Sequence, residues 1–310
     1  MRIIFMGTPD YAVQSLKKLI ASRHDVAAVV TQPDRQRNRN ELSFCPVKKF
    51  AVEHNLPVLQ YEKVSKEGIE DLKKLKADVI VTVAYGQILS SEVLSLTKYG
   101  VINSHASLLP KYRGSSPIQW AVINGEAYTG VTIMKTAQKV DSGDIILQKK
   151  IAILQDETAG ELFNRLAVFA GDTLIEGLAL IESGKAVYTP QNHEEATHFP
   201  MLKKEDGKID FSLRFEGLKH FILGMTPWPS AFTYIGGKIF KIYEIEKADG
   251  FFTEYQNGEI VEADEKNGLI VKISDGLIRL KTLQPENGKR MTDTDYLRGH
   301  KLEKQILGLK

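Results

Sequence analysis

Apolar positions fall into near-continuous runs in the first half of the chain and into shorter, turn-punctuated runs toward its end. Arg2 to Met6 is a compact apolar run closed by Gly7-Thr8-Pro9-Asp10, and Ala12, Leu16, Leu19 and Ile20 then recur at helical spacing. The opening segment therefore predicts strand, turn, helix. Val26 to Val30 is a second run, Ala77 to Val83 a third, and Gly100 to Ile102 leading into Asn103 a fourth, with polar helical segments between them. Val- and Ile-rich runs alternating with helices predict an α/β domain whose mainly parallel sheet is covered on both faces. Thr129 to Met134 and Ile145 to Ile153 read as further strands, and Ala159 to Ile181 as a long Ala- and Leu-rich helix that closes this domain.

After Glu182 the pattern turns polar, through Gln191-Asn192-His193-Glu194 and Lys203-Lys204-Glu205-Asp206-Gly207, and reads as a linker. From Ala231 onward the runs FTYI, KIFKIYEI, GEIV, LIVKI and LIRLKTL are separated by turn residues. Short strands at this spacing predict a small β-barrel or sandwich, with a five-stranded barrel the better fit. No internal repeat or low-complexity tract complicates the division.

Composition narrows the classes. A length of 310 residues, 43% of them hydrophobic, accommodates two domains with separate cores. Lys and Arg number 41 against 39 Asp and Glu, so a net charge of +2 advertises no nucleic-acid partner by itself, and any basic face has to be local. The single cysteine, Cys45, excludes an internal disulfide and a Cys-rich zinc site, and fits a reducing, cytoplasmic setting. The first apolar run is too short for a signal sequence or a membrane span. No ligand spacing for a metal is present.

The most informative segment is Gly100 to Gly114, GVINSHASLLPKYRG, which leaves an apolar strand and enters a loop before a helix near Ser116-Pro117. Ligands of open α/β sheets bind outside the carboxyl ends of the strands, where Asn103 and His105 fall, and residues two apart on extended backbone point the same way. A second polar cluster, Gln138 to Asp144, offers Asp141 at another strand end. An amide donor, an imidazole and a carboxylate in one cleft suit acyl transfer to an amine. The carbonyl oxygen becomes an oxyanion that Asn103 and His105 stabilise, while Asp141 holds the imidazole and a proton-relaying water. Taken by spacing alone, the same residues also serve as loop caps and turn formers. Gly7-Thr8-Pro9 lacks the G-x-G-x-x-G spacing of a dinucleotide turn. Cys45 has no neighbour that would activate it, and Trp228, between Pro227 and Pro229, reads as a packing aromatic.

NSHASLLPKYRG resembles the Asn-x-His plus Ser-Leu-Leu-Pro signature of enzymes that use 10-formyltetrahydrofolate, and DSGD resembles their second catalytic segment. With IIFMGTPDYAV, TQPDR, VAYGQIL, GVTIM, KIDF, TPWPSAF and TLQPENGKRM, the likeness to the methionyl-tRNA formyltransferase family extends over nearly the whole chain. It implies a Rossmann-like formyltransferase domain over residues 1–190, which binds folate and is catalytic, a linker over 191–206, and an OB-like domain over 207–310 that assists tRNA binding. It makes Asn103, His105 and Asp141 the catalytic set. It places the folate co-substrate against Tyr85, Gly86, Ile88 and Leu89, against Ser107, Leu108, Leu109 and Pro110, and against Val140, with backbone atoms reading the pterin edge. The implied partner is initiator methionyl-tRNA, served by a monomer with no metal and no membrane attachment.

One departure concerns the segment DRQRNRNELSFC, where the family usually has a Gly-containing basic loop that approaches the acceptor end of tRNA. Here it is one residue shorter and lacks both glycines and the Lys pair, and the family's loop arginine corresponds to either Arg37 or Arg39. Arg35, Arg37 and Arg39 remain as candidate tRNA contacts, in a loop expected to order on binding. Lys203, Lys204, Lys289 and Arg290 lie among mixed charges and receive no assignment. Two other functions stay in view. One is a formyltransferase acting on an amino sugar nucleotide with the same site, which the second domain and the arginines disfavour. The other is a non-enzymatic RNA-binding protein, for which exposed aromatics and a strongly basic groove are missing.

Overall fold

A computed structural model describes residues 1–37, 41–250 and 254–308. Its elements are, in order, β1 (Arg2–Gly7), α1 (Asp10–Ile20), β2 (Asp25–Thr31), β3 (Arg35–Arg37), β4 (Glu41–Ser43), α2 (Pro46–Glu53), β5 (Val58–Gln60), α3 (Val64–Glu67), α4 (Ile69–Lys74), β6 (Val79–Val83), α5 (Ser91–Leu94), β7 (Val101–His105), β8 (Arg113–Gly114), α6 (Pro117–Ile123), β9 (Tyr128–Lys135), β10 (Ile145–Ala152), α7 (Ala159–Glu182) and β11 (His198–Phe199). They continue with α8 (Phe215–Met225), β12 (Phe232–Ile235), β13 (Lys238–Ala248), β14 (Ile260–Asp264), β15 (Gly268–Ile273), β16 (Gly276–Pro285), β17 (Met291–Thr292) and α9 (Asp293–Gly299).

The chain forms two compact units, each discontinuous in sequence. The first comprises Met1–Pro117, Tyr128–Ala152 and Phe163–Phe199; the second comprises 118–127, 153–162 and the chain from Pro200 onward. Single cuts at 190 and 206 do not express this exchange. Trp120 and Ile123 pack on the hydrophobic core of the second unit, which carries their segment with it. Residues 191–199, expected to begin a linker, are part of the first unit.

In the first unit the sheet order is β10-β9-β7-β6-β1-β2-β5. β1 runs parallel to β2 and β6, β2 to β5, and β6 to β7, whereas β9 and β10 join antiparallel at one side. Ile3 to Met6 of β1 and Val79 to Val81 of β6 are fully buried, as continuous apolar runs in a doubly covered sheet should be. On α1, Tyr11, Ala12, Ser15, Leu16 and Leu19 form the buried stripe that the helical spacing predicts. Leu166, Ala170, Leu174 and Leu178 repeat every four residues along α7 and are all buried. The chain builds outward from β1 to β2 and β5, then crosses back to β6 and β7, so strand order reverses at β1. That reversal leaves a crevice at the carboxyl ends of β1 and β6.

The second unit carries an antiparallel sheet whose hydrogen-bonded path among the described residues is β12-β13-β16-β15-β14, with β17 beside β16. It is a half-barrel rather than a closed barrel. The five predicted runs supply the five strands of the path. On β13 the inward residues Phe240, Ile242 and Ile245 join Leu269, Val271, Ile278 and Leu283 in a core that Leu218, Ile222 and Met225 of α8 cover. Trp228 keeps 48% of its surface in solvent. Among the described residues no helix is long and apolar enough to cross a membrane, and no group of His, Cys, Asp and Glu could hold a metal ion.

Candidate active site

β7 pairs with β6 so that Asn103 lies beside Thr82, and with β9 so that His105 faces Thr132. The Thr82 hydroxyl donates to Asn103 Oδ1 at 3.0 Å. An occupied carbonyl end turns the Nδ2 amide, which has only donors, toward whatever lies outside the strand end. Asn103 is half-buried while His105 is 7% exposed, so the pair runs from the surface of the crevice inward.

The imidazole is held at one nitrogen. His105 Nε2 donates to the Tyr112 carbonyl at 2.9 Å, and because a carbonyl only accepts, this bond sets the tautomer. Nδ1 is then the basic nitrogen, and it faces Asp141 Oδ2 at 3.6 Å, an ion-pair distance longer than a hydrogen bond. Asp141 has φ +49°, a left-handed conformation that Asp tolerates better than most side chains. Its Oδ2 also accepts from Gly114 N at 2.8 Å.

Two glycines make this approach possible. Gly114 has φ +94°, and a Cβ there would lie 2.5 Å from the carbonyl of Phe199, its partner where β11 pairs with β8. A Cβ on Gly143 would lie 1.7 Å from the Lys135 carbonyl, so only glycine lets the 138–144 turn fold back onto the end of β9.

Ser107 to Pro110 form a loop pinned from below. Thr132 Oγ1 donates to Ser107 O at 2.7 Å and accepts from Leu109 N at 3.1 Å and from Gln148 Nε2 at 2.9 Å, which uses its full hydrogen-bonding capacity. Gln148 Nε2 also reaches Leu109 O at 2.7 Å, and Ser107 Oγ donates to Lys111 O at 2.8 Å. Leu109 is buried, Leu108 lies over Gly130 of β9, and Pro110 is half-buried. The backbone of Ser107 and Leu109 and the Ser107 hydroxyl are thus committed to holding the loop.

The segment after β6 separates in the same way. Tyr85 is buried, its hydroxyl has no hydrogen-bond partner, and burial, aided by nearby Tyr61, pushes its ionisation well above the usual tyrosine range. Its carbonyl accepts from Thr8 Oγ1 and Gln32 Nε2. Gly86 follows with φ +88°, and Leu89 packs in the core with Ile4, Met6 and Val93. Ile88 and Val140, by contrast, are 78% and 53% exposed. Of the expected folate contacts, these two leave apolar side chains open, and Tyr85 and Leu89 have only backbone to offer.

A cavity of about 410 Å³ opens at the carboxyl ends of β1, β2 and β6, lined by Thr8, Pro9, Gln32, Asp34, Arg35, Cys45, Tyr85 and Gly86 among others. Lys48 pairs with Asp34 and donates to Gln60 Oε1 at 2.8 Å, bracing that wall. Cys45 is a buried helix cap whose sulfur accepts from Lys48 N. Arg35 is exposed and begins β3, which pairs antiparallel with β4. The expected loop is therefore a short ladder, in which Arg37 lies opposite Glu41. Arg39 lies outside the described residues.

Reading by spacing located Asn103, His105 and Asp141, which the fold brings together, but missed Thr82, Thr132, Gln148, Arg113 and Gln191. A polar residue inside an apolar strand, such as Thr82 within VIVTV, was the available signal.

Comparison with known proteins agrees with this architecture. Residues 1–178 match the formyl transferase family and residues 201–301 its C-terminal domain. Methionyl-tRNA formyltransferases of Agathobacter rectalis and Acetivibrio thermocellus are 45% and 43% identical, over 98% and 99% of this chain and 98% and 100% of theirs. Among solved structures, the methionyl-tRNA formyltransferase from Clostridium thermocellum covers 81% of this chain and 95% of its own at TM-score 0.56 and 17% identity. The sugar 3N-formyl transferase WlaRD covers 93% and 99% at TM-score 0.67 and 20% identity. HypX from Aquifex aeolicus, solved with tetrahydrofolic acid, covers 96% of this chain but 47% of its own, at TM-score 0.62 and 16% identity. At such identities the structural likenesses establish the fold and leave the acceptor open. The sequence relatives are close and span both domains, and by them the chain belongs to the methionyl-tRNA formyltransferase family.

Proposed function

We propose that this protein moves the formyl group of 10-formyltetrahydrofolate to the amino group of methionine carried on initiator tRNA. The observation that carries the reading is the convergence of Asn103, His105 and Asp141 at one strand edge, in a chain 45% identical to a methionyl-tRNA formyltransferase. The neutral amine attacks the formyl carbon directly. Asn103 Nδ2 donates to the formyl oxygen as it becomes an oxyanion, and His105 stabilises the developing negative charge. Donors fixed in advance at a shielded site stabilise developing charge more than mobile water does. As the new C–N bond forms and the bond to the folate nitrogen breaks, the amine proton passes to that nitrogen. Asp141 holds the imidazole and the relaying water. No covalent enzyme intermediate is needed.

Folate sits, in this reading, against Ile88 and Val140 and the backbone of Tyr85 and Gly86, on the platform of Ser107 to Pro110. The exposed apolar side chains of Ile88 and Val140 support that placement. No resident metal takes part. The cavity edged by Arg35 receives the acceptor end, with Arg35, Arg37 and Arg39 toward phosphates, and the second unit assists in tRNA binding. The enzyme works as a monomer in the cytoplasm.

The test is transfer of labelled formyl from 10-formyltetrahydrofolate to Met-charged initiator tRNA, run beside uncharged tRNA, Met-charged elongator tRNA and an amino sugar nucleotide. Label confined to initiator methionine supports the reading. Label on the sugar nucleotide keeps the catalytic set and overturns the acceptor, and no label on any acceptor overturns both.

A further inference from the structure

Gln191 belongs to the segment expected as a linker, yet it is 6% exposed and every atom of its amide is used. Its Oε1 accepts from Arg113 Nε at 3.1 Å and from Arg113 Nη2 at 2.6 Å. Its Nε2 donates to Asp141 O at 2.9 Å and to Gly143 O at 2.7 Å. A guanidinium only donates and carbonyls only accept, so the amide has one orientation and no alternative set of partners. Arg113 directly precedes Gly114, whose N–H holds the Asp141 carboxylate, and Arg113 Nη2 also donates to His193 Nδ1 at 2.9 Å. The same strap serves His105. Thr197 accepts from Tyr112 N through its hydroxyl at 2.8 Å and from Arg113 N through its carbonyl at 2.9 Å, and Phe199 stacks on the Tyr112 ring at 4.9 Å. Tyr112 O is the group that orients the imidazole.

We propose that Gln191, and the strap 191–199 that carries it, positions the catalytic pair: Gln191 locks the backbone of Asp141 while Arg113 and Gly114 hold the matching wall. The proposal rests on the reading of Asp141 as a member of the catalytic set. A left-handed residue keeps its conformation only where its surroundings impose it, and here the imposing bonds at Asp141 and Gly143 come from one buried amide. Releasing that amide lets the 138–144 turn relax and carries Asp141 away from Nδ1. Gln191 touches no reacting atom; its bonds act on Asp141 directly and through Arg113 and Gly114, which hold the Asp141 carboxylate.

The experiment measures formyl transfer by the full chain as wild type, Gln191→Ala, Gln191→Glu, Asp141→Ala and the Gln191→Ala/Asp141→Ala double variant, with folding checked by circular dichroism. Gln191→Glu keeps the volume and the acceptor for Arg113 but presents oxygen to the two carbonyls, so it carries the test if the alanine variant does not fold, in the double variant as well. Each Gln191 variant should lower kcat by about 10- to 100-fold with the KM for folate nearly unchanged. In the Asp141→Ala background the same change should cost about twofold or less, because the group it positions is gone. A Gln191 that merely supports the fold gives losses that multiply in full, and that result, or full activity of a Gln191 variant, overturns the proposal while leaving Asp141 in place. Wild-type activity of Asp141→Ala overturns the catalytic reading, and the proposal with it.

Discussion

The Thr82 hydroxyl donates to Asn103 Oδ1 across two adjacent parallel strands, at 3.0 Å. With the hydroxyl proton on Oδ1, the Nδ2 end of the amide is left toward the crevice; the same hydroxyl also reaches Ile102 O at 3.5 Å. Thr82→Val keeps the shape of the strand and removes the bond. A hydrogen bond contributes about 1 kcal/mol, which corresponds to a loss of about fivefold in kcat if orientation is its whole role. Asn103→Ala, which removes the donor itself, should cost about 10²–10³-fold. Equal losses for the two variants would show that Thr82 does more than orient the amide.

His105 presents its two nitrogens to different partners, Nε2 to Tyr112 O and Nδ1 toward Asp141. A side chain that meets charge only as it develops acts on the transition state more than on substrate binding. His105→Ala should therefore lower kcat by about 10²-fold or more and leave the KM for folate close to that of the wild type. Steady-state kinetics with folate varied at saturating tRNA separates the two constants. A change confined to KM would move His105 from catalysis to binding.

The ladder of β3 and β4 carries Arg35 at the edge of the cavity and Arg37 near its turn. Contacts between arginines and phosphates release counterions, and they appear as a dependence of affinity on salt. Changing Arg37 and Arg39 together to Ala should weaken the apparent affinity for tRNA and reduce the slope of log affinity against log salt by about 1.5. Folate binding should stay the same. An unchanged salt slope would remove both residues from the interface.

Strong periodicity was the legible part of the fold. β1, β2 and β6 are largely apolar runs without alternation and α1 and α7 have apolar stripes, so burial on two faces or one could be read directly from spacing. β5, β8 and β11 are two or three residues long, held by edge pairing, and leave no periodic trace. The discontinuity of the two units was equally silent, because it depends on where Trp120 and Ile123 pack rather than on their type. At the site, Asn103 and His105 stood out as polar residues at an apolar strand end. Gln191 did not, since a polar residue in a polar stretch looks like surface until its bonds to Arg113, Asp141 and Gly143 are seen. The family resemblance identified the Ser-Leu-Leu-Pro segment, and only the geometry of Thr132 and Gln148 explains its chemistry as loop support.

In the second unit Asp293 is fully buried at the start of α9, with Arg279 Nε on its Oδ2 at 2.7 Å and Arg279 Nη2 on its Oδ1 at 2.9 Å. Leu269 N and Thr294 N complete its shell at 2.8 Å each. Burial opposes the charge on Asp293, but the bonds from Arg279, Leu269 and Thr294 outweigh it and hold the carboxyl below its ordinary range. A folded-state pKa below the unfolded value of about 3.9 means that the stabilisation is complete above that pH and disappears as pH falls through the folded value. Asp293→Asn leaves a guanidinium and two amides facing a neutral group, and should cost about 3–5 kcal/mol at neutral pH. Urea unfolding of the full chain and of the variant, at pH 7 and in steps below pH 4, checks both the size and the sign. The gap between the two proteins should narrow toward acid. A gap that stays constant would assign the loss to packing at α9 rather than to the ion pair.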